Sequence, residues 1–208
     1  MKNVLHLVWM LAAAAGGCAQ TGGQAGSHGA AAAGGTCPFA PAVSVHCGRT
    51  PTTAFDPGGR LWAAYVVGEH VYVAHSDDTG RSYSRPVQVN RAAEEIYTNG
   101  ENRPKLAFGR NGEIYVTWTK VREEPFSGDI RFARSLDGGR RFEQVLVVND
   151  DGLLTSHRFD ALFVNPAGDV YIAWLDKRDL VAAEAGGGEY TGAALYYSVS
   201  TDNGASFA

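Results

Sequence analysis

One octapeptide occurs three times along the chain, and it constrains the fold more than any other feature. It reads SDDTGRSY at residues 76–83, SLDGGRRF at 135–142 and STDNGASF at 200–207. The copies begin 59 residues apart (76 to 135) and then 65 residues apart (135 to 200). Ser, Asp and Gly in a polar segment closed by an aromatic residue are typical of a tight turn. A turn that returns at the same place in a long repeat predicts a fold built from copies of one unit.

The segments around the octapeptide repeat as well. GGRLWAAYVV, NGEIYVTWTK and AGDVYIAWLD align with one another, and they place Tyr65, Trp118 and Trp174 at one position. TTAF, KLAF and ALFV lie upstream of them, and HVYVAHS, DIRFARS and ALYYSVS lie downstream. After the first two octapeptides, PVQVN ends at Asn90 and VLVVN ends at Asn149. Each unit is therefore predicted to contain four strands, with the octapeptide between the third and the fourth.

A repeated four-strand unit of this length indicates an all-β fold, namely a β-propeller with blades at about 49–98, 99–151 and 152–208. The alternating pattern and the Gly-rich breaks exclude a helical solenoid. A β-sandwich is the main alternative, although it would not require the same turn three times. Because the third unit lacks a fourth strand, we expect further blades beyond Ala208, or a partner that completes the sheet.

The octapeptides resemble the Asp-box, or bacterial neuraminidase repeat, of sialidase-type propellers, whose motif is S-x-D-x-G-x-x-W/F. The matching residues are Ser76, Asp78, Gly80, Tyr83, Ser135, Asp137, Gly139, Phe142, Ser200, Asp202, Gly204 and Phe207. The resemblance implies a sialidase-like ring, six-bladed when complete, with the boxes as structural turns on its periphery. One carboxylate in each turn is also too few oxygen ligands for a calcium ion.

The N-terminal segment has the layout of an export signal, predicted over residues 1–18. AGGC at 15–18 is similar to a lipoprotein signal in which Cys18 is lipidated, whereas cleavage after Ala19 is the alternative. The Gly/Ala-rich segment 19–36 is predicted to be a linker before a propeller region at 37–208. Cys37 and Cys47 are expected either to form a disulfide or to pair with cysteines elsewhere.

The net charge of −4 and the absence of a basic cluster argue against a nucleic-acid partner. No cofactor or metal is predicted. We expect a protein of the periplasm or cell envelope that binds a glycan or protein ligand and touches a membrane only through a lipid anchor.

Three arginines precede the first strands of the units: Arg49, Arg103 and Arg158. The resemblance implies an anion role, because sialidases hold the substrate carboxylate with three arginines, and a guanidinium is a planar bidentate donor. The F/Y-R-I-P segment of that family is absent, and its three arginines do not come from three adjacent blades. Arginines that bridge neighbouring blades are the alternative.

The longest connection, residues 175–193, carries the remaining site candidates. Retaining sialidases use a tyrosine nucleophile with a Glu partner and a separate Asp acid, so the resemblance implies Tyr190 with Glu189, and Asp176 or Asp160 as the acid. Arg178 is a further substrate-binding candidate. No motif assigns these residues, and a solvated charged loop is the alternative reading.

Two functions fit this pattern. The first is a glycoside hydrolase of the exo-sialidase type that acts on acidic glycans. The second is a non-catalytic propeller that binds a glycan or a protein at the cell surface. A shared fold does not decide between them.

Overall fold

The computed structural model describes residues 43–208, which form three antiparallel sheets. The first sheet, blade 1, contains β1 (Arg49–Phe55), β2 (Leu61–Val67), β3 (His70–Ser76) and β4 (Val87–Gln88) in that order. Blade 2 contains β5 (Lys105–Phe108), β6 (Ile114–Val121), β7 (Gly128–Ser135) and β8 (Leu146–Val147). Blade 3 contains β9 (His157–Val164), β10 (Val170–Asp176) and β11 (Ala194–Ser200). The predicted all-β architecture of three repeated units is confirmed.

The strand registers show that the three blades repeat one geometry. Ser76, Ser135 and Ser200 pair with Leu61, Ile114 and Val170, respectively, at equivalent places of the three sheets. After each octapeptide the chain returns to the third strand, since the N–H groups of Ser84, Glu143 and Ala208 donate to the carbonyls of His75, Arg134 and Val199. Blade 3 therefore begins the same return at Ala208 that leads to β4 and β8 in the other blades.

The hydrophobic core lies between the blades. One cluster joins Trp62 and Val66 of blade 1 to Ile114 and Trp118 of blade 2. A second joins Tyr115, Ile130 and Phe132 of blade 2 to Ile172 and Trp174 of blade 3. Successive residues of a strand face opposite sides of the sheet, so β6 contributes Trp118 to one interface and Tyr115 to the other. Each blade is thus stabilised mainly by its neighbours.

The three octapeptide turns share one hydrogen-bond pattern. In the first, the Ser76 hydroxyl donates to Asp78 Oδ1 at 2.7 Å and accepts from the Gly80 N–H at 2.8 Å. Asp78 also accepts from the N–H and the hydroxyl of Ser82. The second and third turns repeat the serine contacts through Ser135 and Ser200. The three aspartates thus bind groups of their own turns.

Two features differ from the expected pattern. The connection from β10 to β11 contains a helix, α1 (Arg178–Ala185), and is not an irregular loop. A short 3-10 helix at Val45–Cys47 precedes β1.

Cys47 is disulfide-bonded, whereas the identity of its partner is not among the described residues. The predicted signal, linker, Cys18 and Cys37 lie outside the described residues. Among residues 43–208, no helix is long and apolar enough to cross a membrane.

Candidate functional site

The edge of the sheets opposite the octapeptide turns carries the candidate site. Because neighbouring strands are antiparallel, β1, β5 and β9 begin at the edge where β2, β6 and β10 end. We call it the entry edge, defined by Arg49, Lys105 and His157 at the starts of these inner strands. The octapeptides follow the ends of the third strands and therefore lie at the other edge. Most of the predicted site residues belong to the entry edge.

Arg49 and Arg158 occupy equivalent positions, but Arg103 does not. The residues Thr52, Lys105 and Ala161 are equivalent, since they pair with Ala64, Thr117 and Ala173. Counting back three residues reaches Arg49, Asn102 and Arg158. Asn102 thus takes the place that Arg49 and Arg158 hold in the other blades, and its buried side chain accepts a hydrogen bond from the N–H of Phe159 in blade 3 at 3.0 Å.

β-Bulges shape the starts of β1 and β9. The register shifts between Arg49 and Thr52, and again at the start of β9, opposite Ala173 and Leu175. Thr50 and Phe159 have φ values of 48° and 60°, in the left-handed region that such residues rarely adopt. Bulges re-aim the side chains that follow them. In blade 3 the residues on either side of this bulge are Arg158 and Asp160.

A buried charge cluster lies beside the start of β9. His157 Nε2 is 3.0 Å from Asp151 Oδ2 and 3.7 Å from Asp176 Oδ2. Arg178 Nε lies 2.9 Å from Asp176 Oδ2 and 3.2 Å from Asp151 Oδ2, and Arg178 also pairs with Asp150 at 2.8 Å. Burial opposes ionisation of Arg178, but hydrogen bonds to Asp176 and Asp150 raise its pKa. The arginine is therefore a permanent counter-charge of this cluster.

The hydrogen bonds of His157 hold its ring in one orientation. Its Nδ1 lies 2.8 Å from the carbonyl of Gly128, which can only accept, so Nδ1 carries a hydrogen. The contact of Nε2 with the Asp151 carboxylate then requires either a second proton or a shared cation. Asp151, His157 and Asp176 bring three donor atoms within 4.8 Å of one another, a set that could hold a metal ion. Arg178 already contacts both carboxylates, at 2.9 Å from Asp176 and 3.2 Å from Asp151.

A similar arrangement surrounds Trp118 of blade 2, where Glu94 of the preceding connection supplies the carboxylate. The Trp174 indole N–H donates to Asp176 at 2.8 Å, and at the equivalent place the Trp118 indole N–H donates to Glu94 at 2.7 Å. Arg131 pairs with Glu94 at 3.3 Å, as Arg178 does with Asp176. A tryptophan, a carboxylate and an arginine therefore recur in two blades, and they tie the inter-strand connections to the sheets.

Arg158 has surroundings that the other blades do not repeat. Its guanidinium carbon lies 5.3, 5.4 and 4.9 Å from the ring centroids of Tyr97, Phe126 and Phe159. Its Nε donates to Ser156 Oγ at 3.1 Å, and its two terminal nitrogens make no hydrogen bond within residues 43–208. The stacking holds the planar group in place, while the terminal nitrogens keep their capacity to donate. This geometry suits a ligand carboxylate.

Asp160 forms a second unrepeated group together with Lys105 and Thr117. The carboxyl is fully buried and accepts a hydrogen bond from Thr117, while its Oδ1 has no hydrogen-bond partner and lies 3.8 Å from Lys105 Nζ. Burial raises the pKa of Asp160, and burial also lowers the pKa of Lys105. In the other two blades the position of Asp160 holds Pro51 or Pro104, that of Lys105 holds Thr52 or Ala161, and that of Thr117 holds Ala64 or Ala173. The repeat itself does not require this buried polar group.

The remaining predicted residues have only local contacts. Arg49 donates to the carbonyl of Gly68 at 3.1 Å, and Arg103 donates to that of Gly100 at 3.2 Å. Glu189 is exposed and Tyr190 half-buried, and neither makes a hydrogen bond within the described part of the chain. The structure therefore brings Asp176 and Arg178 together, and within residues 43–208 no hydrogen bond or ion pair links them to Tyr190 or Glu189.

Sequence reasoning missed Lys105, Thr117 and the rings around Arg158. The first two carry a usable signal, because a charged or polar residue replaces a small one at a position defined by the repeat. Tyr97 and Phe126 lie in connections outside the repeat alignment. No sequence pattern places their rings beside Arg158.

No protein-family model matches this chain, and no curated protein matches it. Among solved structures, it is similar to an α-L-arabinanase from Penicillium chrysogenum in complex with arabinobiose, at 19% identity and a TM-score of 0.53, over 77% of this chain and 48% of that chain. The fold is a β-propeller. An α-L-arabinofuranosidase from Fusarium graminearum shares the propeller at 17% identity and a TM-score of 0.51, over 75% of this chain and 46% of that one. A protein of unknown function from Dyadobacter fermentans is similar at 18% identity and a TM-score of 0.53, over 76% of this chain and 48% of that one. This chain spans about half the length of these three structures.

Proposed function

We propose that this chain is part of a glycan-acting propeller that binds an acidic saccharide at the entry edge, between blades 2 and 3. The observation that carries the proposal is Arg158, whose guanidinium is stacked among three rings and has two terminal nitrogens without hydrogen bonds in residues 43–208. A rigid planar donor pair recognises a carboxylate in two parallel hydrogen bonds. Exposed aromatic surface such as that of Phe126 supports contact with the apolar face of a sugar ring.

The solved structures that share the fold support a saccharide as ligand. Two of them are glycoside hydrolases, one with arabinobiose and one with an iminosugar inhibitor. We extend their class, a glycan-acting propeller, to this chain as part of the proposal. The resemblance of the octapeptides to sialidase repeats supports an acidic sugar, of which sialic acid is one example.

For hydrolysis, Asp160 is a better candidate proton donor than Asp176. A general acid must retain its proton near the working pH, and burial raises the pKa of Asp160. Asp176 instead accepts hydrogen bonds from Trp174 and Arg178, so its Oδ2 is already engaged by groups of the protein. Because Asp160 is fully buried, only a ligand seated between the inner strands of blades 2 and 3 would reach it.

A non-catalytic glycan-binding propeller is the second candidate function. The specific observation that favours it is that Tyr190 and Glu189 make no hydrogen bond or ion pair with Asp176 or Asp160, whose described partners are other residues. A tyrosine nucleophile needs an adjacent base. Binding through Arg158 would not require that pair.

The test is a turnover assay on fluorogenic glycosides of sialic acid, glucuronic acid and arabinose, with binding measured in parallel. We expect turnover of an acidic glycoside, its loss in Asp160→Asn, and retention of binding in that variant. Binding without turnover in the unmodified protein would select the second function. Neither binding nor turnover of any acidic glycoside would contradict both.

We also propose that the protein is exported to the periplasm or cell envelope and tethered through Cys18. The proposal rests on the apolar N-terminal segment and the AGGC sequence at residues 15–18. Mass spectrometry of the native protein tests it, because lipidation would leave a diacylated Cys18 as the first residue. A mature N-terminus at Gln20 would indicate ordinary cleavage.

A further inference from the structure

The rings around Arg158 restrict which anions can approach its guanidinium. Its Cζ lies over the rings of Tyr97, Phe126 and Phe159, at 5.3, 5.4 and 4.9 Å from their centroids. Three rings cannot occupy one direction, so they flank the guanidinium from different sides. Its Nε is engaged by Ser156 Oγ at 3.1 Å. An anion must therefore reach the two terminal nitrogens through the space that the rings leave.

The ring of Phe159 is not required by the backbone that carries it. Thr50 holds the position of Phe159 in blade 1, and the two residues have φ values of 48° and 60° at matching register shifts. The same bulge thus forms with a small polar side chain. Arg49, which precedes Thr50, is exposed and donates to the carbonyl of Gly68. The ring is therefore a feature of the Arg158 site and not of the repeat.

The ring of Phe126 is held at a strained position. Its φ is 63°, in the left-handed region that side chains disfavour, and it lies in the β6–β7 connection. The side chain is 51% exposed, so burial of the ring offsets little of this strain. Of the five non-glycine residues with left-handed φ in residues 43–208, two place rings over Arg158. Backbone strain of this kind is concentrated at ligand sites.

Rings beside a guanidinium affect carboxylates and tetrahedral anions differently. The face of an aromatic ring is the negative part of its quadrupole, so it attracts the guanidinium and repels an anionic oxygen. A carboxylate has two oxygens, and both accept from the terminal nitrogens in a bidentate pair. A sulfate or phosphate ester is tetrahedral. When two of its oxygens accept, the other two project to opposite sides of that plane, toward groups that flank the guanidinium.

We infer that Phe126 and Phe159 are specificity-determining residues, which make Arg158 select a carboxylate over a sulfate or phosphate ester. All three groups are anionic, so the charge of the arginine alone does not separate them, and the rings supply the element that disfavours the wrong ligand. The inference rests on the proposed function for the saccharide part of the ligand. It then names the ligand class as sugars with a carboxylate, such as uronic or sialic acids, and excludes sulfated glycans.

The experiment observes the Arg158 side chain directly. Protein labelled with ¹⁵N-arginine is titrated with acetate and with methyl sulfate at constant ionic strength, because these anions have equal charge and different geometry. The NMR signals of Arg158 are assigned by their loss in Arg158→Lys. The ring variants are Phe126→Gly, which suits the left-handed backbone, and Phe159→Thr, which introduces the residue of blade 1. Phe163→Thr is the matched control, since this ring is 60% exposed at the other end of β9.

We expect acetate to bind the unmodified protein about 10-fold more tightly than methyl sulfate, and the ratio to fall about 3- to 10-fold in each ring variant, on the scale of one aromatic contact. The fall should come from tighter binding of methyl sulfate. Rings that only hold the arginine in place would instead weaken both anions alike. Phe163→Thr should leave the ratio unchanged. Equal affinity for the two anions in the unmodified protein would overturn the inference, as would an unchanged ratio in folded Phe126→Gly.

A second comparison separates this inference from the proposed function. Calorimetry compares methyl glucuronide with the 6-sulfate of methyl glucoside, which differ only in the group at C6, and sialyllactose is titrated beside them. Equal affinity for the glucuronide and the sulfate ester would overturn the inference and leave the saccharide function standing. Ring-dependent selectivity for acetate without binding of any saccharide would contradict the proposed function and leave the selectivity of Arg158 standing. Arg158 signals that respond to neither anion would overturn both.

Discussion

Gly139, in the octapeptide of blade 2, lies directly against the indole of Trp62 in blade 1. A Cβ at this glycine would be 2.5 Å from Trp62 Cη2, and the residue has a φ of 82°. We expect Gly139→Ala to lower the free energy of unfolding by about 2–4 kcal/mol, from overpacking together with left-handed strain. Denaturant unfolding measures the loss.

Gly138 provides the matched control for this contact. Its φ is 71°, but a Cβ there would meet nothing within 4 Å. Gly138→Ala should therefore carry only the backbone strain, about 1–2 kcal/mol. Equal losses in the two variants would refute the close approach between the blades.

Arg178 should be essential to stability, while its exposed partner should not. Removing the guanidinium would leave the fully buried Asp176 carboxylate without its counter-charge, and we expect Arg178→Ala to cost about 3–5 kcal/mol. The side chain of Asp150 is 81% exposed, so Asp150→Ala should lower the free energy of unfolding by less than about 1 kcal/mol. Urea denaturation of both variants provides the comparison. A cost for Arg178→Ala no greater than that for Asp150→Ala would contradict the assigned role.

The first octapeptide turn should hold Asp78 ionised in strong acid. Hydrogen bonds from Ser82 and Ser76 lower the pKa of Asp78 to about 2. Because the pKa in the folded state is below that in the unfolded chain, this carboxylate stabilises the fold above about pH 4, and the contribution is lost as the pH falls through about 2. Carbon NMR titration of the carboxyl group measures the midpoint, and an ordinary value near 4 would contradict the observed hydrogen bonds.

Asp160 should give a pH dependence of the opposite sign. Burial raises its pKa, so the folded state binds more protons than the unfolded chain from about pH 4 upward, and stability falls as the pH rises through the titration of the folded state. Asp160→Asn removes the titrating group. We therefore expect the unfolding free energy of the unmodified protein to fall relative to that of the variant as the pH rises above 4. A difference that stays constant between pH 4 and pH 8 would contradict a pKa of Asp160 raised by burial.

The repeat could be predicted from the sequence because its determinants are local. Ser76, Asp78 and Gly80 form their turn within a few residues, and the same residue types recur at the same point of two further units. Alternation of apolar residues then defined the strands on either side. The helix α1 is also local, and its Ala- and Leu-containing segment has good helix propensity. The length and charge of that connection nevertheless favoured a loop.

The candidate site could be predicted only in part, because its contacts are long-range. Arg158 was identified from its place before an inner strand, whereas the rings of Tyr97 and Phe126 reach it from the connection before blade 2 and from the β6–β7 connection. The bulge at Phe159 shifts the register in a way that alternation does not encode. Asp176 was singled out as a charged residue at a loop entrance, and its partners, the Trp174 indole and Arg178, could not be predicted from that position.

The most direct test of the proposed function is the affinity of Arg158 variants for one saccharide with and without its carboxylate. Titration calorimetry with sialyllactose and with lactose, and likewise with a glucuronate disaccharide and its carboxyl-reduced form, separates the charge from the sugar. We expect preference for an acidic ligand, and a loss of about 10- to 100-fold in Arg158→Ala, because a charged hydrogen bond contributes about 1.5–3 kcal/mol. Arg158→Lys should retain part of the affinity for the acidic ligand, and Arg110→Ala, at an exposed control position, should retain all of it. Equal affinity for the acidic and neutral ligands, or an unchanged affinity in Arg158→Ala, would contradict the account.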